Sequence, residues 1–158
     1  MSGNELKGKV TLVTGGAKNL GGLISREFAA AGSKVVVHYH SDASKSAADE
    51  TVSAIGALGS EAIALQGDLT QVSALSSLFR EAKDRFGGID VAVNTVGKVL
   101  RKSMLETSEQ DFDEMFDVNA KSAYFFMKEA GLHLNDNGKI ITIVTSLLAA
   151  FTDGYSTY

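Results

Sequence analysis

The 158-residue chain contains no cysteine. Disulfides, cysteine-based metal sites and cysteine nucleophiles are thereby excluded. Proline is missing as well, where average usage would give about eight; the sequence offers no physical reason for that. Basic charge is not in excess. Fifteen Lys and Arg stand against 19 Asp and Glu, and the net charge of −4 offers no footprint for nucleic acid or an anionic membrane. No apolar run approaches the ~18 residues of a membrane span. Met1 to Lys9 is polar, unlike a signal peptide. A cytoplasmic location is therefore the default expectation. Against these absences, 44% apolar and 22% charged residues form the balance of a soluble globular protein, at a length that suits one domain.

Short apolar runs alternate with helical stripes. Lys9 to Thr14 is a β-rich run ending at glycines, and Leu20, Leu23, Ile24 and Phe28 then recur at helical spacing up to Gly32. Val35 to Tyr39 is a second strand, followed by a stripe of Ala48, Val52, Ile55 and Leu58. Glu61 to Gln66 is a third strand, and Val72, Leu75, Phe79, Ala82 and Phe86 mark the clearest amphipathic helix. Ile89 to Val93 is a fourth strand, a long helix is predicted over roughly Ser108 to Leu134, and Lys139 to Thr145 is a fifth strand. Strands separated by helices run parallel, because a crossover helix returns the chain to the same end. The expected fold is α/β: a doubly wound parallel sheet of the Rossmann type, with ligands at the carboxyl ends of its strands.

The first strand leads into Thr14-Gly15-Gly16-Ala17-Lys18-Asn19-Leu20-Gly21-Gly22, which opens the first helix. Glycines there let the backbone turn tightly and approach a pyrophosphate, whose charge a helix N-terminus favours. A glycine-rich turn also serves packing alone; its position after a strand and before a helix favours phosphate binding. Asn119 draws attention on physical grounds. It lies in the apolar stripe Phe112, Phe116, Ala123, Phe126 and Ala130 of the long helix, and a buried amide must find hydrogen-bond partners. Asp111, Asp113, Glu114 and Asp117 read as a solvated acidic face near a positive helix end rather than a metal cluster. Lys98, Arg101 and Lys102 read as surface charges. His38 and His40 share a strand face without a third metal ligand in prospect, so no metal is expected.

These landmarks resemble the short-chain dehydrogenase/reductase family, and within it the 3-oxoacyl-ACP-reductase-like members. The family carries T-G-x-x-x-G-x-G after the first strand; Thr14, Gly15 and Gly21 match, and Asn19 stands in place of the middle glycine. Asn is the next-best residue for a left-handed backbone. The resemblance implies that Gly15, Lys18, Asn19, Leu20 and Gly21 bind the cofactor phosphates. An acid at the end of the second strand would select NAD, and a basic residue NADP. The strand ends at Tyr39, His40 and Ser41, with Tyr39 at the usual acid position and Lys18 placed like the basic residue of NADP-preferring members, so NADP(H) is favoured over NAD(H).

Asp68, with Leu69 beside it, matches the residue that bonds the adenine. Asn94-Thr95-Val96-Gly97 matches the family's N-N-A-G at Asn94 and Gly97. Val118-Asn119-Ala120 resembles the segment carrying the catalytic asparagine of a proton relay. Tyr158 matches the catalytic tyrosine. Thr145 stands thirteen residues before it at the position of the catalytic serine, with Ser146 adjacent, and either hydroxyl could bond a substrate carbonyl. A phenol titrates near 10 in water, so work near pH 7 requires cationic neighbours, which the family supplies from the nicotinamide and from a lysine four residues further on. That position lies beyond residue 158. The resemblance thus implies a fold incomplete at the C-terminus, a longer protein, and an exposed apolar edge at the fifth strand.

The expected function is hydride transfer between NADP(H) and a carbonyl or alcohol substrate, in a homo-oligomer, dimer or tetramer by resemblance. A catalytically inactive NADP(H)-binding regulator or partner subunit is the second reading. A Rossmann-like methyltransferase, which would not need the Ser/Thr-to-Tyr spacing, is the third.

Overall fold

Residues 6–149 and 152–158 are described by a computed structural model of the chain; residues 1–5 of the polar N-terminal stretch lie outside them. Five strands, β1 (Val10–Thr14), β2 (Lys34–Tyr39), β3 (Ala62–Gln66), β4 (Val91–Asn94) and β5 (Lys139–Thr142), form one parallel sheet in the order β3-β2-β1-β4-β5. Between them run α1 (Asn19–Ala30), α2 (Lys45–Ala57), α3 (Val72–Phe86), α4 (Glu109–Phe116) and α5 (Ser122–His133). The chain winds outward from β1 to β3, crosses back, and continues through β4 and β5. The reversal falls between β1 and β4, the switch point where such sheets open a crevice.

Period-two alternation splits the core into two layers. Leu12, Val36 and Ala92 face α3 and α5, against Leu75, Phe79, Ala82, Phe126 and Ala130. Val13, Val35, Val37, Val91 and Val93 face α1 and α2, against Ala29, Ala48 and Ile55. Strands buried on both faces explain the near-continuous valine runs of β2 and β4.

Three elements depart from expectation. The apolar stripe expected for α1 packs only in part: Ile24 and Phe28 lie against the core, Leu20 and Leu23 are exposed, and the fully buried face is Gly21, Gly22, Ser25 and Ala29. Small residues let this helix approach the β1 turn, and a Cβ on Gly21 would lie 2.1 Å from the Gly15 carbonyl oxygen. The predicted long helix is continuous, but a π-helical segment, Asp117–Lys121, joins α4 to α5. Its extra residue per turn rotates the apolar face. Phe112 and Phe116, expected in one buried stripe with Phe126, are each 46% exposed and stack on each other, while Met115 is buried instead. Finally, β5 stops at Thr142 rather than Thr145, because its one partner strand, β4, ends at Asn94. Ile140 and Ile141 of this edge strand, and Ile143 and Val144 just after it, are exposed, as expected for an apolar edge. Among the described residues no helix is long and apolar enough to cross a membrane.

Candidate active site at the strand tips

The tips of β1 and β4 are locked together. Thr14 Oγ1 donates to Asn94 Oδ1 (2.8 Å) and to the Val93 carbonyl (3.3 Å). The same Asn94 oxygen accepts from the Val96 amide (3.1 Å), and Thr95 Oγ1 returns a bond to the Thr14 carbonyl (2.7 Å). From this clamp the glycine turn leaves with Gly15 at φ +66° and Asn19 at φ +51°. Asn19 thus takes the left-handed backbone at the place where the family pattern has glycine. Ser25 Oγ donates to the Gly16 carbonyl (3.1 Å) and Thr51 Oγ1 to the Ala17 carbonyl (2.7 Å), so the turn is held from α1 and α2. Lys18 is the extended residue before α1 and makes no side-chain cap, which leaves the helix's first N–H groups to a ligand or solvent.

A cleft of about 310 Å³ runs alongside, walled by Gly15, His38, His40, Asp68, Leu69, Thr70, Val96, Gly97 and Lys98, with Glu114, Val118 and Ser122 opposite. Asp68 accepts from the Thr70 hydroxyl (2.8 Å) and amide (3.1 Å), and His40 lies 3.8 Å away. Partial burial alone would raise the Asp68 pKa, but the Thr70 bonds and His40 outweigh it and hold it below the ordinary carboxyl value. Lys18 and His40 are exposed and Ser41 half-buried, while Tyr39 is 8% exposed and packs in the core layer beneath the glycine turn with Ala17 and Ala48.

On the other side of the cleft, Asn119 occupies the middle of the π segment. Its Oδ1 accepts from the Lys98 amide and its Nδ2 donates to the Lys98 carbonyl, both at 2.8 Å. The amide that the stripe left in want of partners thus fastens the loop after β4. A Cβ on Gly97 would meet this Asn119 oxygen alone, at 3.3 Å, so the backbone there is open to close approach.

Among the described residues no three carboxylates or histidines are grouped to hold an ion. Glu114 pairs with Lys98, Asp111 with Lys102 and Asp117 with Lys121. A trough of about 480 Å³ beside the cleft is walled by Glu109, Asp113, Glu114 and Asp117, charges that repel an anionic ligand.

At the carboxyl end Thr145 Oγ1 accepts from the Leu147 amide (3.2 Å) and Ser146 is exposed. Neither they nor Tyr158 wall the cleft. Residues 154–156 are pinned instead to the loop after β4. The Lys102 amide donates to the Gly154 carbonyl (2.6 Å), Ser156 Oγ donates to the Lys102 carbonyl (3.3 Å), and the Lys102 ammonium pairs with Asp111 (2.6 Å). It is the backbone of Lys102 that anchors the segment carrying Tyr158, while its ammonium pairs with Asp111 of α4. Tyr158 itself is 38% exposed, its ring 6.3 Å from that of Tyr155.

A family profile described as enoyl-(acyl carrier protein) reductase matches residues 15–158. A short-chain dehydrogenase/reductase of Pestalotiopsis microspora is 37% identical over 147 residues, covering 93% of this chain and 55% of that protein. The chain belongs to the short-chain dehydrogenase/reductases. A hydroxynaphthalene reductase-like protein of Metarhizium brunneum is 38% identical over 137 residues, covering 87% of this chain and 51% of its own length. Among solved structures, a Burkholderia cenocepacia dehydrogenase with bound NADP superposes with a TM-score of 0.95 at 56% identity, covering 98% of this chain and 59% of that one. A Sinorhizobium meliloti dehydrogenase/reductase gives 0.92 at 34%, covering 98% and 61%. The chain spans about half the length of the curated relatives it matches.

Two residues of this short-chain dehydrogenase/reductase escaped the sequence reading. Thr95 departs from the family motif yet closes the clamp, its hydroxyl lying 2.8 Å from where a Gly15 Cβ would stand. His38 is weighed in the sequence only beside His40 as a metal ligand. Its phase in β2, shared with buried Val36, carried the signal: a polar ring on a buried face must have its nitrogens satisfied.

Proposed function

We propose that the protein containing this chain is an NADP(H)-dependent oxidoreductase that moves a hydride between the nicotinamide and a carbonyl or alcohol substrate. One observation carries the reading. The left-handed glycine turn Gly15–Gly21, opening into an uncapped helix, lies at the β1–β4 switch point and borders the cleft of His40, Asp68 and Gly97. The donor set suits a dinucleotide. Asn19, Leu20 and Gly21 would take the pyrophosphate on the turn that left-handed Gly15 makes; Lys18, His40 and Ser41 would take a 2′-phosphate. Asp68 and Leu69 would take the adenine, and Asn94 and Gly97 the nicotinamide ribose side. NADP(H) over NAD(H) is supported by the buried Tyr39 standing where an acid would be, and by two solved Burkholderia cenocepacia relatives with bound NADP.

The bound nicotinamide would supply or accept the hydride. Tyr158 would give or take the proton at the substrate oxygen, Thr145 or Ser146 would hold that oxygen, and Asn119 would hold the loop through which the proton relay passes. A second copy of the chain would cover exposed apolar residues along α4 and α5 (Phe112, Phe116, Tyr124 and Met127), making a dimer or tetramer.

The test uses the full-length protein with NADPH and simple ketones or 3-oxoacyl thioesters. Tyr158→Phe is expected to lower kcat by about a thousandfold while NADPH binding persists, the scale set by losing a general acid and its hydrogen bond. Unchanged turnover in that variant would refute the assignment.

A further inference from the structure

His38 lies one residue before the end of β2, 2% exposed. Both ring nitrogens are engaged, and with different loops. Nδ1 accepts from the Gly15 amide at 3.0 Å; Nε2 donates to the Gly67 carbonyl at 2.8 Å. The first bond makes Nδ1 an acceptor, so the proton sits on Nε2, which is what the second bond needs. The ring spans from the first residue of the glycine turn to the turn that presents Asp68. It also forms part of the wall of the cleft between them. Gly15 holds φ +66°, a backbone setting that is unconstrained in glycine unless something fixes it, and its N–H is turned onto the imidazole rather than left to a ligand.

We propose that His38 is a positioning residue for dinucleotide binding: its imidazole braces the glycine turn against the loop after β3, so that the phosphate and adenine subsites stand in register across the cleft. The proposal rests on the nucleotide-binding reading of that cleft and adds to it a residue outside the glycine motif. A doubly protonated ring would set N–H against N–H at Gly15 and break the brace. The fold disfavours that form. Burial, and secondarily His40, lower the His38 pKa to about 4 against the raising effect of the Gly67 bond. Besides His40, the charged groups around the cleft are Asp68 on the loop after β3, Lys98 on the loop after β4 and Glu114 on α4.

The experiment is calorimetric titration of the full-length protein with NADP+, alongside steady-state kinetics with NADPH, with folding checked by thermal melts. His38→Leu removes both bonds and is expected to weaken NADP+ binding about tenfold or more, the scale of two lost hydrogen bonds. His38→Gln keeps one acceptor and one donor at the end of a longer side chain and is expected to stay within about threefold of wild type. KM for NADPH rises in the leucine variant while kcat at saturating NADPH stays unchanged, the split expected when binding alone is lost. A folded His38→Leu protein with wild-type affinity would overturn the proposal. If that variant does not fold, His38→Asn, too short to reach both partners, replaces it. It must bind more weakly than His38→Gln, and equal affinities for Asn, Gln and wild type overturn the brace. Wild-type protein that binds no NADP+ at all would overturn the cofactor reading and the brace together, an outcome distinct from the others.

Discussion

A buried neutral histidine makes stability depend on pH in a definite direction. In the unfolded chain an imidazole titrates near its ordinary value of about 6.5; in the fold burial moves His38 down to about 4. Above about 6.5 both states are neutral and the native stability is full. Between about 6.5 and 4 the unfolded state binds a proton that the native state refuses, so stability falls as pH falls. The loss is of the order of 3 kcal/mol, complete once pH passes below the folded value. Thermal melts of wild type across this window are expected to show the decline, and His38→Gln, which has no imidazole at this site, to show a flatter profile there. Asp68 and Asp90, whose carboxyls are both held below their usual range despite partial burial, lose their bonds to Thr70 and to Val10 and Lys9 at still lower pH. At this scale Asn19 was legible from the sequence, because a left-handed position leaves few residue types to choose from. Thr95 was not, because its role depends on which backbone atoms β1 brings beside it.

At the scale of elements, α5 is joined to α3 by more than apolar packing. Glu129 is 6% exposed on α5; it accepts from Ser76 Oγ of α3 at 2.9 Å and lies 3.3 Å from His133 Nε2 one turn on. His133 in turn stacks on Phe79. Glu129→Ala leaves Ser76 without its acceptor and opens space between the helices. It is expected to cost about 1–3 kcal/mol, read by urea unfolding, with NADP+ affinity unchanged because Glu129 lies outside the cleft. Element identity along the chain was legible from periodicity, and α3 packs with the stripe that its sequence shows. The α4–α5 run was legible as a helix but not in phase. Local sequence does not announce where an i→i+5 turn enters, and that turn exchanged Phe116 for Met115 in the core.

On the scale of the whole molecule, β5 is one of the two edge strands of the sheet, with Ile140, Ile141 and, just after it, Ile143 and Val144 exposed and the Thr142 hydroxyl buried without a partner. Such an edge is a template for pairing with another strand. The 158-residue chain expressed by itself is expected to self-associate at micromolar concentration. Ile141→Lys should reduce that association, measured by light scattering, because a charge on the strand opposes stacking of a second copy. Association unaltered by the lysine would place the contact elsewhere, with Phe112 and Phe116 the next surface to test.

The order of strands and helices, the parallel sheet, the glycine turn and the ordered landmarks from Thr14 to Tyr158 follow from sequence alone, because periodicity and the backbone demands of a tight turn are local. Tertiary structure alone decided which groups meet: His38 between Gly15 and Gly67, Asn119 on Lys98, Lys102 on the segment before Tyr158. Those contacts join residues remote in sequence, and a hydrogen bond depends on distances of a few tenths of an ångström that only the packed sheet and helices set.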